Sequence, residues 1–326
     1  MKFSNYSLLS LFYGLIIASF TGSMFAQSTD EVVLNQHPKW LVSSDRFNKS
    51  RFTIVTGSLA VSYSAALVGL NELWYKDFPR SSFHFINDIK EWQQIDKAGH
   101  VVTPYLEARY IMQTFQWAGL DSRKAAIWGG FTAFMFQNTI EVFDGFSAEW
   151  GASGSDLAAN FLGAAIMTGQ ELLWNEQRMS LKVMPHFFRY DDPELQQRAD
   201  ELYGTNYIVR FVKDYNAINV WASINTASFF PSQRRLKWLN IAVGYGAGGM
   251  FGGYSNEWID EQGIYHDRRD VVRYRKLYLS LDVDFHRIPT RSRYLRLLFD
   301  ALNIIKVPAP AIEFNTKGQV LFHPLI

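Results

Sequence analysis

The period of the apolar positions changes part-way along this chain. Up to about residue 184 they come in runs of helical length; beyond it they begin to alternate with polar ones. Phe52 to Asn71 carries no charge and ends in Glu72-Leu73-Trp74-Tyr75, so it reads as a first helix. A second is expected over about 95–118, interrupted or kinked near Pro104. Gly119-Leu120-Asp121-Ser122 reads as a turn and cap, followed by a third helix over about 123–143 and a fourth over about 155–174, with Gly154 or Ser155 near its cap. Small residues recur four apart at Ser58/Ser62/Ala66, Ala125/Gly129/Ala133 and Ala159/Gly163, which would let neighbouring helices approach closely.

After Pro185 a short polar helix is expected from Asp192-Pro193 to about Tyr203. Leu277 to Phe285 then alternates strictly, with Leu, Leu, Leu, Val and Phe at odd positions and polar residues or Tyr between them. Asn219–Phe230 and the glycine-rich Leu239–Tyr254 are further strand candidates, and Tyr294–Ile305 reads as an amphipathic helix. Asn315-Thr316-Lys317-Gly318 would turn a terminal hairpin between Ala311–Phe314 and Gln319–Phe322. The expected fold is α+β: an N-terminal bundle of about four helices with a polar core site, then an antiparallel β-rich region. Its divisions are 1–26, 27–50, 51–184 and 185–326. The β region reads either as a sheet packed on helices or as an outer-membrane-type surface. A basic run at Arg287, Arg291, Arg293 and Arg296 would touch anionic lipid, or else be the solvated side of a helix whose core is Leu295, Leu297, Leu298 and Phe299.

Composition adds a compartment. Lys2 followed by the apolar stretch Leu8–Phe25 and the junction Ala26-Gln27 reads as a cleaved signal peptide, with 27–50 an extended lead-in. The chain is therefore expected in the periplasm or in association with the outer membrane. A net charge of +1 over 326 residues gives no field for nucleic acid. With no cysteine among them, disulfides, thiolate metal sites and acylation of an N-terminal cysteine are excluded.

Candidate chemistry lies where ionisable groups interrupt the apolar helices, because charges there are costly unless paired or hydrated. Asp96 and His100 lie one helical turn apart, as do Glu141 and Asp144, and Asp156 and Asn160; Lys97 and Glu107 complete the set. Such pairs would converge between the helices. The motifs Phe83-His84-Phe85-Ile86-Asn87-Asp88, Asp96-Lys97-Ala98-Gly99-His100, Glu141…Asp144-Gly145 and Ser155-Asp156-Leu157-Ala158-Ala159-Asn160…Gly163 resemble the YfiM-like family of predicted periplasmic lipoproteins. More distantly they resemble VanZ-like membrane proteins. The resemblance covers about 50–175 and implies an envelope location without an established activity.

Three roles remain open: a non-enzymatic network tying the helices together, a binding site for an envelope lipid or cell-wall precursor, and a metal-assisted hydrolase. In the second, Lys97 would meet a phosphate or carboxylate and Asp156 and Asn160 hydroxyls. In the third, His100, Glu141 and Asp156 would hold Mg²⁺, Mn²⁺ or Ca²⁺. No cofactor is implied. Membrane or envelope components are the expected partners, nucleic acid is not, and no protein partner is indicated.

Overall fold

A computed structural model describes residues 42–76, 78–186, 189–230 and 236–326. The expected signal peptide and residues 27–41 of the lead-in lie outside them. The chain forms two units: one from residues up to 87, 103–177 and 289–302, the other from 88–102, 178–288 and 303–326.

The first unit is helical. Helix α1 (Lys49–Leu70) starts where the Asn48 side chain accepts from Arg51 N, and it runs on into a π-helical turn at Asn71–Tyr75. Length and composition would let α1 cross a membrane. Only Val55 and Gly69 of it are buried. Of the small-residue stripe Ser58 is exposed while Ser62 and Ala66 are half-buried, and aromatic rings also hold α1. Tyr63 stacks on Phe136 at 3.9 Å and Phe52 on Phe115 at 5.8 Å.

Helix α2 (Ile95–Trp117) continues through Pro104 without interruption; its first eight residues belong to the second unit. Asp121 caps α3 (Ser122–Gly145), as expected from the sequence. Ser153, paired with Ile86 where β2 (Ala152–Ser153) meets β1 (Phe85–Ile86), caps α4 (Gly154–Trp174). Two adjacent glycines set the packing of α3. A Cβ on Gly129 would come within 2.7 Å of Ala108 O and 2.9 Å of Met112 N in α2, and one on Gly130 within 2.1 Å of Thr168 Oγ1 in α4. Beside apolar core residues such as Tyr105, Ile111, Met112, Phe115 and Met167, this unit encloses polar side chains and leaves large apolar ones outside. Gln113, Gln137, Glu141, Asp156, Asn160 and Gln170 are buried, while Ile127, Trp128, Phe131, Met135, Phe161 and Leu162 are exposed. The amphipathic helix, α8 (Arg293–Leu302), corrects an expectation in the same way. Leu295 and Leu298 are 45% and 50% exposed rather than core, because the helix turns Asp300 inward and Tyr110 donates to the Asp300 carbonyl.

The second unit is built on an antiparallel six-stranded sheet ordered β10-β9-β8-β5-β4-β3. Its strands are β3 (Met179–Pro185), β4 (Ile218–Asn225), β5 (Leu239–Gly248), β8 (Tyr274–Val283), β9 (Ala311–Asn315) and β10 (Val320–His323). Two expected strands are shorter than the sequence indicated. Asn225 ends β4 by capping the helical turn α7 (Thr226–Phe229), and β5 stops before Gly249, whose φ is +71°. Helices α5 (Pro193–Tyr203) and α6 (Tyr207–Lys213) and the hairpin of β6 (Glu257–Ile259) and β7 (Tyr265–Asp267) complete the unit. Leu195, Ala199 and Tyr203 of α5 form a small apolar core with Phe251 and Trp258.

The sheet buries its polar face. Lys182 and Asp282, both fully enclosed, pair at 2.8 Å. Ser223 donates to Asp282 at 2.6 Å, Asn240 to Ser223 at 2.9 Å and Asn225 to Asn240 at 2.7 Å. Lys306 donates to the carbonyls of Val307 and Ile326, each at 2.9 Å, and lies 4.5 Å from the Trp221 ring.

Candidate functional site

Each unit holds part of the polar set. In the second, Asp96, Lys97 and His100 occupy the first turns of α2, and an unusual entry positions them. Trp92, Gln93 and Gln94 have φ of 47°, 53° and 62°, a left-handed run that costs side-chain-bearing residues about 1–2 kcal/mol each. Bonds from other parts of the unit hold it: Trp92 N donates to Gly253 O at 2.8 Å, Gln94 to Ile89 O at 2.7 Å, and the Tyr245 hydroxyl to Gln93 O. Lys97 then bridges Asp88 at 2.6 Å and Asp96 at 3.0 Å, Tyr215 donates to Asp96 at 2.7 Å, and His100 Nε2 lies 3.8 Å from Asp96. Burial works to raise the Asp96 pKa. The charges of His100 and Lys97 and the Tyr215 hydroxyl outweigh it and hold the carboxyl below its usual range.

In the first unit the remaining residues pair between helices at several levels. Gln137 of α3 donates to Glu107 of α2 at 2.8 Å. The other oxygen of Glu107 is enclosed with no partner among the described residues, and burial pushes this carboxyl up to about 8, only partly offset by the Gln137 bond. At the C-terminal end of α3, Glu141 accepts from Ser153 N at 3.0 Å, the backbone that leads into α4. Asn160 of α4 donates to Asn138 of α3 at 3.2 Å. Asp156 is buried in the first turn of α4, where its amide donates to the Ser153 cap at 3.2 Å and its charge complements the helix N-terminus. Asp144 accepts from Tyr75 at 2.6 Å; burial first, then the Asp144 charge, raises that phenol above its usual range. At the opposite end of the helices Gln116 donates to Ser122 at 3.1 Å, and Ser122 to Glu171 at 2.7 Å.

Of the sequence-predicted residues, Asp96, Lys97 and His100 belong to the second unit, and Glu107, Glu141, Asp144, Asp156 and Asn160 to the first. The partners Gln137 and Asn138 were missed, although their interruption of an apolar helix one turn before Glu141 could have found them. Nothing in local spacing points to Tyr75, Asp88 or Tyr215. Beside Asp144, a cavity of about 100 Å³ is lined by Tyr75, Phe78, Phe143 and Phe146. Small-molecule sites are larger, about 300–1,000 Å³.

These features define an α+β protein whose helices are cross-linked by buried polar pairs. Residues 84–170, which carry α2, α3 and most of α4, match the family described as Predicted periplasmic lipoprotein (DUF2279). That match supports an exported protein of the periplasm. No curated protein and no solved structure matches the chain.

Proposed function

We propose that this is a non-enzymatic protein of the cell envelope, associated with the outer membrane on its periplasmic side, whose helical polar residues are architectural. The observation that carries this reading is the distribution of the bonds. Glu107–Gln137, Asn138–Asn160, Glu141–Ser153 and Gln116–Ser122–Glu171 are spread along the helices, and each joins one helix to the next or to its cap. Within the helical unit each of these groups is bonded to another protein group. A network that fixes register uses them on one another, and its value is specificity as much as stability. The order of motifs shared with YfiM-like and VanZ-like proteins fits the same reading.

The test is to remove single partners. Asn160→Ala and Glu141→Ala each leave a buried group unsatisfied, which costs about 1–3 kcal/mol. Thermal melting should fall by several degrees, and the amount of folded protein recovered from the cell envelope should fall with it, while reversal of any deletion phenotype that the wild type reverses should track that amount. A variant that melts normally, accumulates normally and still fails to reverse that phenotype would show that the cluster acts on a ligand instead.

A further inference from the structure

On the side of the sheet opposite its buried ion pair, most outward positions of β5, β8, β9 and β10 stand open among the described residues, while Leu181 of β3, Val220 of β4 and Ala247 at the end of β5 on that same side are buried. Ile241 and Val243 of β5, Leu277, Leu279 and Leu281 of β8, Ile312 and Phe314 of β9, and Val320 and Phe322 of β10 are all between 40% and 68% exposed. Register makes them one surface. Val243 lies opposite Leu279, which lies opposite Ile312, which lies opposite Phe322; Leu277 lies opposite Phe314, which lies opposite Val320. From Leu277 to Val283 an outward row runs for about 20 Å at about 3.4 Å per residue. Monomeric soluble proteins seldom leave so wide an apolar surface open to water.

Charge decides the occupant. On β5, β8, β9 and β10 the outward positions include one charged residue, Arg275, at one end of the β8 row, and no acidic residue. Near that end the β9–β10 turn carries exposed Lys317, whose ammonium lies 3.9 Å from the ring centroid of Tyr274, a residue of the other face of β8. At the opposite end Lys237 is exposed and the neighbouring Trp238 is 37% exposed. Apolar rows bounded by cations match acyl chains bounded by anionic headgroups. The carboxylates that would repel such headgroups, Asp282 and Glu313, face the buried side.

We propose that the outward face of β5, β8, β9 and β10 lies in the acyl layer of a bilayer, with Arg275, Lys317 and Lys237 at the level of anionic headgroups. The proposal rests on the envelope location given above and not on the role of the helical polar pairs. The two fail separately, because one is read from lipid contact and the other from melting.

The absence of cysteine allows a direct test on the full chain. Single variants Leu279→Cys, Phe314→Cys and Lys317→Cys, labelled with an environment-sensitive fluorophore, would be reconstituted into vesicles of phosphatidylethanolamine and phosphatidylglycerol at 3:1, an order-of-magnitude match to envelope charge. Labels at 279 and 314 should shift to the blue and be quenched by lipids brominated on their acyl chains, while the label at 317 responds to aqueous iodide. Leu279→Asp with Leu281→Asp, both outward and clear of the buried face, should reduce co-flotation with vesicles at least tenfold without changing the circular dichroism spectrum. Labels at 279 and 314 that iodide reaches in vesicles would overturn the proposal. So would labels already shielded in lipid-free protein, by a second copy or by the rest of the chain, or flotation unaffected by the double aspartate.

Discussion

Glu107 separates the two things a buried carboxyl can do. Burial holds its pKa near 8, so at neutral pH it is chiefly the uncharged acid, and it accepts from Gln137 in that form. A folded pKa above the unfolded value of 4.5 means that the native state binds the extra proton. The stability this provides is complete below about pH 4.5 and is lost as pH rises through about 8, at up to ~1.4 kcal/mol per pH unit for one proton. Glu107→Gln keeps an uncharged group of similar shape, so its stability curve should lack this slope while matching the wild type at low pH. Urea unfolding at a series of pH values would show it, and parallel curves for the two proteins would contradict the assignment. Asp96 differs because its cationic neighbours compensate its burial and keep it charged.

Between elements, the two glycines of α3 do what no side chain there could. Gly129→Ala would drive a methyl into the backbone of α2, and overpacking of this kind costs about 1–3 kcal/mol. Gly57→Ala, on the exposed side of α1 with nothing within 4 Å of the new carbon, should instead raise stability by up to about 1 kcal/mol through helix propensity. Opposite changes in melting temperature from the same substitution would confirm that close approach, and not helix propensity, sets the Gly129 position. The α3 part of this was legible in the sequence, since Ala125, Gly129 and Ala133 fall on one buried side. The similar stripe in α1 is less enclosed, with Ser58 exposed and Ser62 and Ala66 half-buried; spacing alone does not say how closely a neighbour packs.

Each unit, taken by itself, encloses polar side chains and turns many apolar ones outward. That inversion limited what the sequence could tell. The caps at Asp121 and Asp192 and the alternation around Leu277 mark real elements, while the change from helix to strand falls before residue 184, since β3 begins at Met179. Alternation defines two faces of a strand without saying which is enclosed. For β8 it is the face of Tyr278, Ser280 and Asp282. The ion pair with Lys182 that makes this tolerable comes from a strand not expected from the sequence, although Met179-Ser180-Leu181-Lys182-Val183 alternates, because so short a run follows directly on a long helix. Likewise Glu141, Asp156 and Asn160 stood out as polar residues in apolar runs. Tyr215, which orients Asp96, is far along the chain and carries no local signal.

The most direct measurement is a double-mutant cycle on Asn138 and Asn160, the pair that bonds α3 to α4. Unfolding free energies of Asn138→Ala, Asn160→Ala and the double variant should be non-additive, with a coupling of about 0.5–1.5 kcal/mol, because the second truncation removes a group already deprived of its partner. Single variants as stable as the wild type, with effects that add to within about 0.3 kcal/mol, would contradict an architectural network.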